Sequence, residues 1–255
     1  MTVLKEFLNV VRNEFPDDRL TFQKSVATFH PESADETARF FKLANQNHQQ
    51  IFISGFGNNI DPEGEPFVNM VMIKTDRLNS LQKIVPEDFY ITVGAGFPLI
   101  EINSHLEKHN FWLPHASLPY TGSVGGSIAV GLNAHLNEHE LPLKKYLIKA
   151  EIVSPQGDII KVGSVSFKSV SGYDIVKIFF GSWGLLGLIV SATFRIMPIS
   201  AKNEFSHLKQ KAIDRIPLLT ALDESNNDTS AIYSRKIKEK FDPNQILPVI
   251  KSAQQ

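Results

Sequence analysis

The chain contains no cysteine. That excludes disulfides, thiolate catalysis and iron–sulfur ligation in one step. It also lacks any apolar run long enough to cross a bilayer. Charge of one sign is missing as well: 26 basic and 27 acidic residues leave a net charge of −1. Nothing electrostatic therefore favours nucleic acid or an anionic membrane as a partner. The opening segment, Met1 to Phe15, carries Glu6 and Glu14, which does not suit a secretory leader, and cytoplasmic residence is expected. What remains is ordinary for a folded soluble protein, with 42% apolar and 21% charged residues in 255. A chain of this size buries roughly 70–75% of its unfolded surface, which one large domain or two small ones would satisfy.

Periodicity divides the chain into two lobes. Leu4, Phe7, Leu8, Val11 and Phe15 recur at helical spacing over 3–15. A turn at His30-Pro31 follows, then Ser33 with Glu36 as a capping box for a helix bearing Phe40, Leu43 and Ala44. Ile51-Phe52-Ile53 reads as a buried strand and Val68 to Ile73 as its parallel neighbour, closing a first lobe near residue 75. The second lobe, about 76–198, has strands at Tyr90–Val93, Leu147–Val153 and Asp158–Val162, with a helix opened by Pro98. Leu188 to Ile196 alternates apolar and polar side chains like a half-buried strand. Hairpin-sized connections, such as Ser154-Pro155-Gln156-Gly157, predict an antiparallel sheet with flanking helices, so the fold class is α+β. Beyond Ile199, two short helical stretches flank the polar run Asp223 to Asp228.

Three glycine-rich segments stand out. Ser54-Gly55-Phe56-Gly57-Asn58-Asn59 follows a buried strand and suits a phosphate held by successive N–H groups, or else is a tight turn. It lacks the third glycine of the dinucleotide fingerprint. Pro119 to Gly131 holds four glycines, the hydroxyls of Thr121, Ser123 and Ser127, and no acid. It suits a flat, anionic ligand or a bend packed on a sheet. Gly181-Ser182-Trp183-Gly184-Leu185-Leu186-Gly187-Leu188-Ile189 leads into the final strand and is either a ligand loop or a bulged connection. Elsewhere, His135 and His139, with Glu138 and Glu140 nearby, admit a divalent ion gripped on a helix, with a solvated loop or helix end as the plainer reading and no metal expected.

The order of these segments resembles the flavin-binding domain of the FAD-linked oxidases, the vanillyl-alcohol oxidase/p-cresol methylhydroxylase superfamily. Its glycolate oxidase and D-lactate dehydrogenase branch is the nearest. The resemblance covers about residues 20–198, with the preceding Gly172-Tyr173-Asp174 turn as a brace. It implies a PCMH-type FAD-binding fold: a small parallel α/β lobe followed by a larger antiparallel sheet. It implies cofactor contacts from Ser54, Gly55, Phe56, Gly57, Asn58 and Asn59 in the first loop. The second loop would contribute Pro119, Thr121, Gly122, Ser123, Val124, Gly125 and Gly126, followed by Ala129 and Val130. The third would contribute Gly184, Gly187 and Ile189. The activity implied is oxidation of an alcohol or 2-hydroxy acid, the flavin accepting a hydride equivalent. His115, Tyr120 and His135 are the candidate bases, though a packed histidine or tyrosine is the plainer reading of the first two.

Departures from that family shape the expectation. Covalent members carry a histidine in the first loop, where Phe56 and Asn58 stand here, and no cysteine is present, so dissociable FAD is expected. Only about 55 residues follow the flavin domain, and Lys238 to Leu247 resembles the family's closing segment. Residues 199–255 therefore read as a shrunken remnant of the cap that elsewhere selects the substrate. Three further readings follow. One is an FAD-binding subunit or electron-transfer module completed by a partner chain or an acceptor protein. Another is an enzyme similar to UDP-N-acetylenolpyruvoylglucosamine reductase, suggested by Gly125-Gly126 before Asn133-Ala134. The last is an interaction domain whose loops have outlived their ligand.

Overall fold

A computed structural model describes residues 2–164 and 175–251; the Gly172-Tyr173-Asp174 turn lies outside them. In the first lobe, α1 (Thr2–Glu14) is followed by a hairpin of β1 (Leu20–Gln23) and β2 (Val26–Phe29). Then come α2 (Ala34–Gln46), β3 (Ile51–Ser54) and β4 (Val71–Lys74). The sheet order is β1-β2-β4-β3, parallel among β2, β4 and β3, with β1 an antiparallel edge. The expected second strand starts later than Val68, because Phe67 closes a 3-10 turn by accepting from the N–H of Met70. The Ser33 hydroxyl caps α2 by accepting from the N–H of Glu36, while the Glu36 carboxylate reaches back to the N–H of Glu32, one residue beyond the usual partner. Phe7, Val11 and Phe15 of the N-terminal segment pack with Phe29 and Phe40, whose rings stack 4.2 Å apart.

The second lobe begins with β5 (Leu81–Val85) and β6 (Tyr90–Gly94). Pro98 opens a 3-10 turn and then α3 (Ile102–Leu106), burying Leu99, Ile102 and Leu106 as their spacing predicts. After β7 (Phe111–Trp112) come α4 (Val124–Ala129), β8 (Asn133–Leu136) and β9 (His139–Pro142). The chain continues through β10 (Leu147–Val153), β11 (Ile159–Gly163) and β12 (Leu188–Arg195). These build a wholly antiparallel sheet in the order β11-β10-β12-β6-β5. β12 is not half-buried: Leu188 to Phe194 are all buried, because the strand is central and covered on both faces. Its Leu188 and Val190 join Val153 in the first lobe's core, while Ile189, Ala192 and Phe194 belong to the second. That shared strand locks the two lobes together.

The C-terminal segment adds β13 (Met197–Pro198) beside β7 and β14 (Leu208–Gln210) beside β8, then α5 (Ile216–Leu222) and α6 (Thr229–Phe241). It then returns to the first lobe, where the carbonyl of Ile246 accepts from the N–H of Ile51 and Ile246 and Leu247 enter the core. The buried Asp242 carboxylate fixes this return. It accepts from the N–H groups of Ile246 and Leu247 and pairs with Lys238. No helix of the described residues is long and apolar enough to cross a membrane.

Candidate functional site

The three glycine-rich segments meet. They line one cleft at the junction of the lobes. The first loop leaves the end of β3, the second enters α4, and the third is stitched to the far end of α4. There the N–H groups of Gly181 and Trp183 donate to the carbonyls of Ile128 and Ala129. Close backbone approach explains the residue types. A Cβ on Gly55 would stand 2.5 Å from the Ser123 hydroxyl oxygen, and one on Gly122 would stand 2.3 Å from the Tyr120 hydroxyl.

Gly55, Phe56, Gly57, Asn58 and Asn59 all line the cleft, and none of their N–H groups has a hydrogen-bond partner within the chain. A run of free N–H donors beside a void is what a phosphate group requires. The second loop supplies fewer donors than its glycines suggest. The N–H groups of Val124, Gly125 and Gly126 are already taken by the Phe97 carbonyl, the Ala95 carbonyl and the Ser123 hydroxyl. Those of Thr121, Gly122 and Ser123 remain free. No charged side chain lines the cleft among the described residues, so an anion entering it meets dipoles and no competing carboxylate.

Most sequence-predicted residues reach this cleft: Ser54 to Asn59, Gly122, Ser123, Gly125, Gly126, Ala129, Val130, Gly184, Gly187 and Ile189. Pro119, Thr121 and Val124 do not line it. Pro119 and Thr121 are exposed and Val124 is in the core, although the Thr121 hydroxyl ties the loops together by accepting from the Asn58 amide at 3.3 Å. Ser127, whose hydroxyl donates to the carbonyl of Val124, is buried away from the cleft.

Of the candidate bases, only Tyr120 lines the cleft, and burial pushes its phenol up to about 12. It is therefore a neutral donor, not a base. His115 is fully buried elsewhere. Its Nε2–H donates to the carbonyl of Leu141 at 2.7 Å, its Nδ1 has no partner, and burial lowers its pKa to about 4. His135 lies on β8, paired with Glu140 across a hairpin and away from the cleft. In that hairpin Leu136 faces His139, so His135 and His139 project to opposite faces and cannot grip one ion, unlike the helical spacing considered from the sequence. No metal-ligating cluster occurs among the described residues.

Residues that sequence reasoning left out of the cofactor set also line the cleft: Ile53, Ile60, Thr75, Ser182 and Trp183. Ser182 and Trp183 were signalled by the third glycine motif. Thr75, at the end of β4, carried no local signal.

A family model for the FAD binding domain matches residues 26–163. This is more than half of the chain, which therefore belongs to the PCMH-type FAD-linked oxidoreductase family, with FAD as its cofactor. Among curated relatives, D-lactate dehydrogenase of Archaeoglobus fulgidus is 27% identical over 169 residues, covering 66% of this chain and 38% of that protein. Glycolate oxidase subunit GlcD of Bacillus subtilis is 27% identical over 173 residues, covering 68% and 37%. Glycolate oxidase subunit GlcE of Escherichia coli is 28% identical over 129 residues, covering 48% and 37%. The chain thus spans well under half the length of these relatives. A solved alkyldihydroxyacetonephosphate synthase shares the fold, with a TM-score of 0.63 at 21% identity over 76% of this chain and 40% of that one.

Proposed function

We propose that the chain holds FAD non-covalently in the cleft and serves an oxidoreductase acting on a 2-hydroxy acid or a related alcohol. The observation that carries this reading is the run of free N–H groups from Gly55 to Asn59, set in a cleft without charged side chains among the described residues. These donors, with those of Gly122 and Ser123, suit the diphosphate. The glycines keep Cβ atoms out of its path, and the Tyr120 phenol offers a neutral hydroxyl beside them. FAD, when bound, supplies the two-electron acceptor. No histidine or cysteine lines the cleft among the described residues, so none of those offers the usual covalent tether. The D-lactate and glycolate enzymes among the relatives suggest the substrate class.

The test is the visible spectrum of the purified protein, before and after heat denaturation. Flavin bands that move to the supernatant support dissociable FAD, and anaerobic bleaching by D-lactate or glycolate then supports the substrate class. A colourless protein that also takes up no added FAD overturns the reading.

A second reading is favoured by the absence of a base. Tyr120 is the one ionisable side chain lining the cleft among the described residues, and its pKa of about 12 unfits it to accept a proton. The chain would then be the FAD-holding part of a larger assembly, a role in keeping with relatives called subunits. Flavin that bleaches with a 2-hydroxy acid only after a co-purifying chain is restored would support this reading. Bleaching by the isolated chain would remove it.

A further inference from the structure

Trp183 combines a place in the cleft lining with an unusual backbone conformation. It has φ +52°, in the left-handed region, between Gly181 at +78° and Gly184 at +77°. Glycine occupies that region freely, whereas a bulky side chain there is a genuine outlier and strained. The backbone leaves it no freedom to relax. Its N–H is bound to the carbonyl of Ala129 at 2.9 Å, and a Cβ on Gly184 would lie 3.2 Å from that of Ile53. Trp183 is half-buried and among the residues lining the cleft, so this strained position sets a large aromatic residue beside whatever the cleft holds. Arg215, from the segment leading into α5, lies over the same ring, 5.3 Å from its centre. The Nε and Nη1 atoms of that guanidinium are sealed from solvent and have no hydrogen-bond partner, so Arg215 serves no ion pair there. A ring fixed by its backbone and covered by a guanidinium is a preorganised stacking surface.

We propose that Trp183, held against Arg215, is a stacking platform for a planar ring of the cofactor, either its adenine or its isoalloxazine. The proposal rests on FAD occupying the cleft. It makes Trp183 a binding residue within the third glycine-rich segment.

The test compares wild-type, Trp183→Phe and Trp183→Leu proteins by calorimetric titration of the flavin-free chain with FAD, ADP and FMN, with apo melting temperatures as a control for folding. Aromatic–base stacking of about 1–3 kcal/mol predicts that Trp183→Leu weakens FAD by about 5- to 150-fold. Trp183→Phe should keep most of the affinity, and both apo proteins should melt near the wild-type temperature. A loss reproduced with ADP assigns the platform to adenine; one reproduced with FMN assigns it to isoalloxazine. Unchanged FAD affinity in Trp183→Leu overturns the proposal. So does weakened FAD binding with ADP and FMN both unaffected, or equal losses in Phe and Leu accompanied by lowered melting temperatures, which would mark a structural role. A wild-type chain that takes up no FAD overturns the cofactor reading itself, and this proposal with it.

Discussion

Lowering the pH should destabilise this protein through His115, and the effect can be isolated by one substitution. The imidazole is fully buried, with Nε2–H donating to the carbonyl of Leu141 and Nδ1 facing no partner. A proton on Nδ1 would create a buried charge with nothing to balance it, and burial lowers the pKa from 6.5 to about 4. Between those values the unfolded chain binds a proton that the folded chain refuses, so unfolding becomes easier as the pH falls. The stabilising contribution is complete above about pH 6.5 and is lost progressively down to about pH 4. Each pH unit in that window is worth about 1.4 kcal/mol, giving about 3 kcal/mol in all. His115→Gln keeps a donor for the Leu141 carbonyl but cannot titrate. Urea unfolding of both proteins across the window should give a stability difference that shifts against the wild type as the pH drops. A difference independent of pH would refute the reasoning, since His115 would then titrate alike folded and unfolded.

Other expectations follow from single contacts. Gly55→Ala drives a Cβ to 2.5 Å from the Ser123 hydroxyl oxygen, which must leave its bond to the Gly126 N–H or push the first loop away, so the flavin-to-protein ratio after purification should fall; full loading would refute it. Asp242→Asn removes the charge that faces Lys238 and weakens the acceptors for the N–H groups of Ile246 and Leu247. It should cost about 3 kcal/mol in urea unfolding, as expected for breaking a buried pair, and an unchanged midpoint would count against that. Ser33→Ala removes the cap on α2 and should cost about 1 kcal/mol by the same assay.

The sequence displayed the cleft better than the framework around it. Glycine at Gly55, Gly125 and Gly184 is dictated by Ser123, Ala95 and Ile53, neighbours that lie far away along the chain, yet its density marks each loop locally. The β1–β2 hairpin left no such mark. Its turn places Lys24 and Ser25 at φ +48° and +68° without the Asn-Gly pair that normally signals such a turn. The helical spacing of His135 and His139 misled for a related reason: Asn137, at φ +56°, reverses the chain between them and makes a hairpin. β12 alternates like a half-buried strand, but alternation cannot reveal that a strand is central and covered on both faces. Thr75 reaches the cleft because β4 ends beside β3, a fact of sheet order that no local pattern contains.

The lining also constrains how labour is divided at the site. Neutral N–H groups and hydroxyls can hold a dianionic group without a counter-charge, because each dipole is set in place by the fold and needs no reorganisation. The same neutrality leaves proton removal unprovided. Tyr120 keeps its proton up to a pKa of about 12, and His115, neutral and available in charge terms above pH 4, is walled off in the core. Among the described residues, the proposed lining offers donors for binding and no base. On the proposed reading, oxidation of a hydroxyl would need a base from outside the described lining, whether from another part of this chain or from a second one. The bleaching experiment, with and without a co-purifying chain, separates those two sources directly.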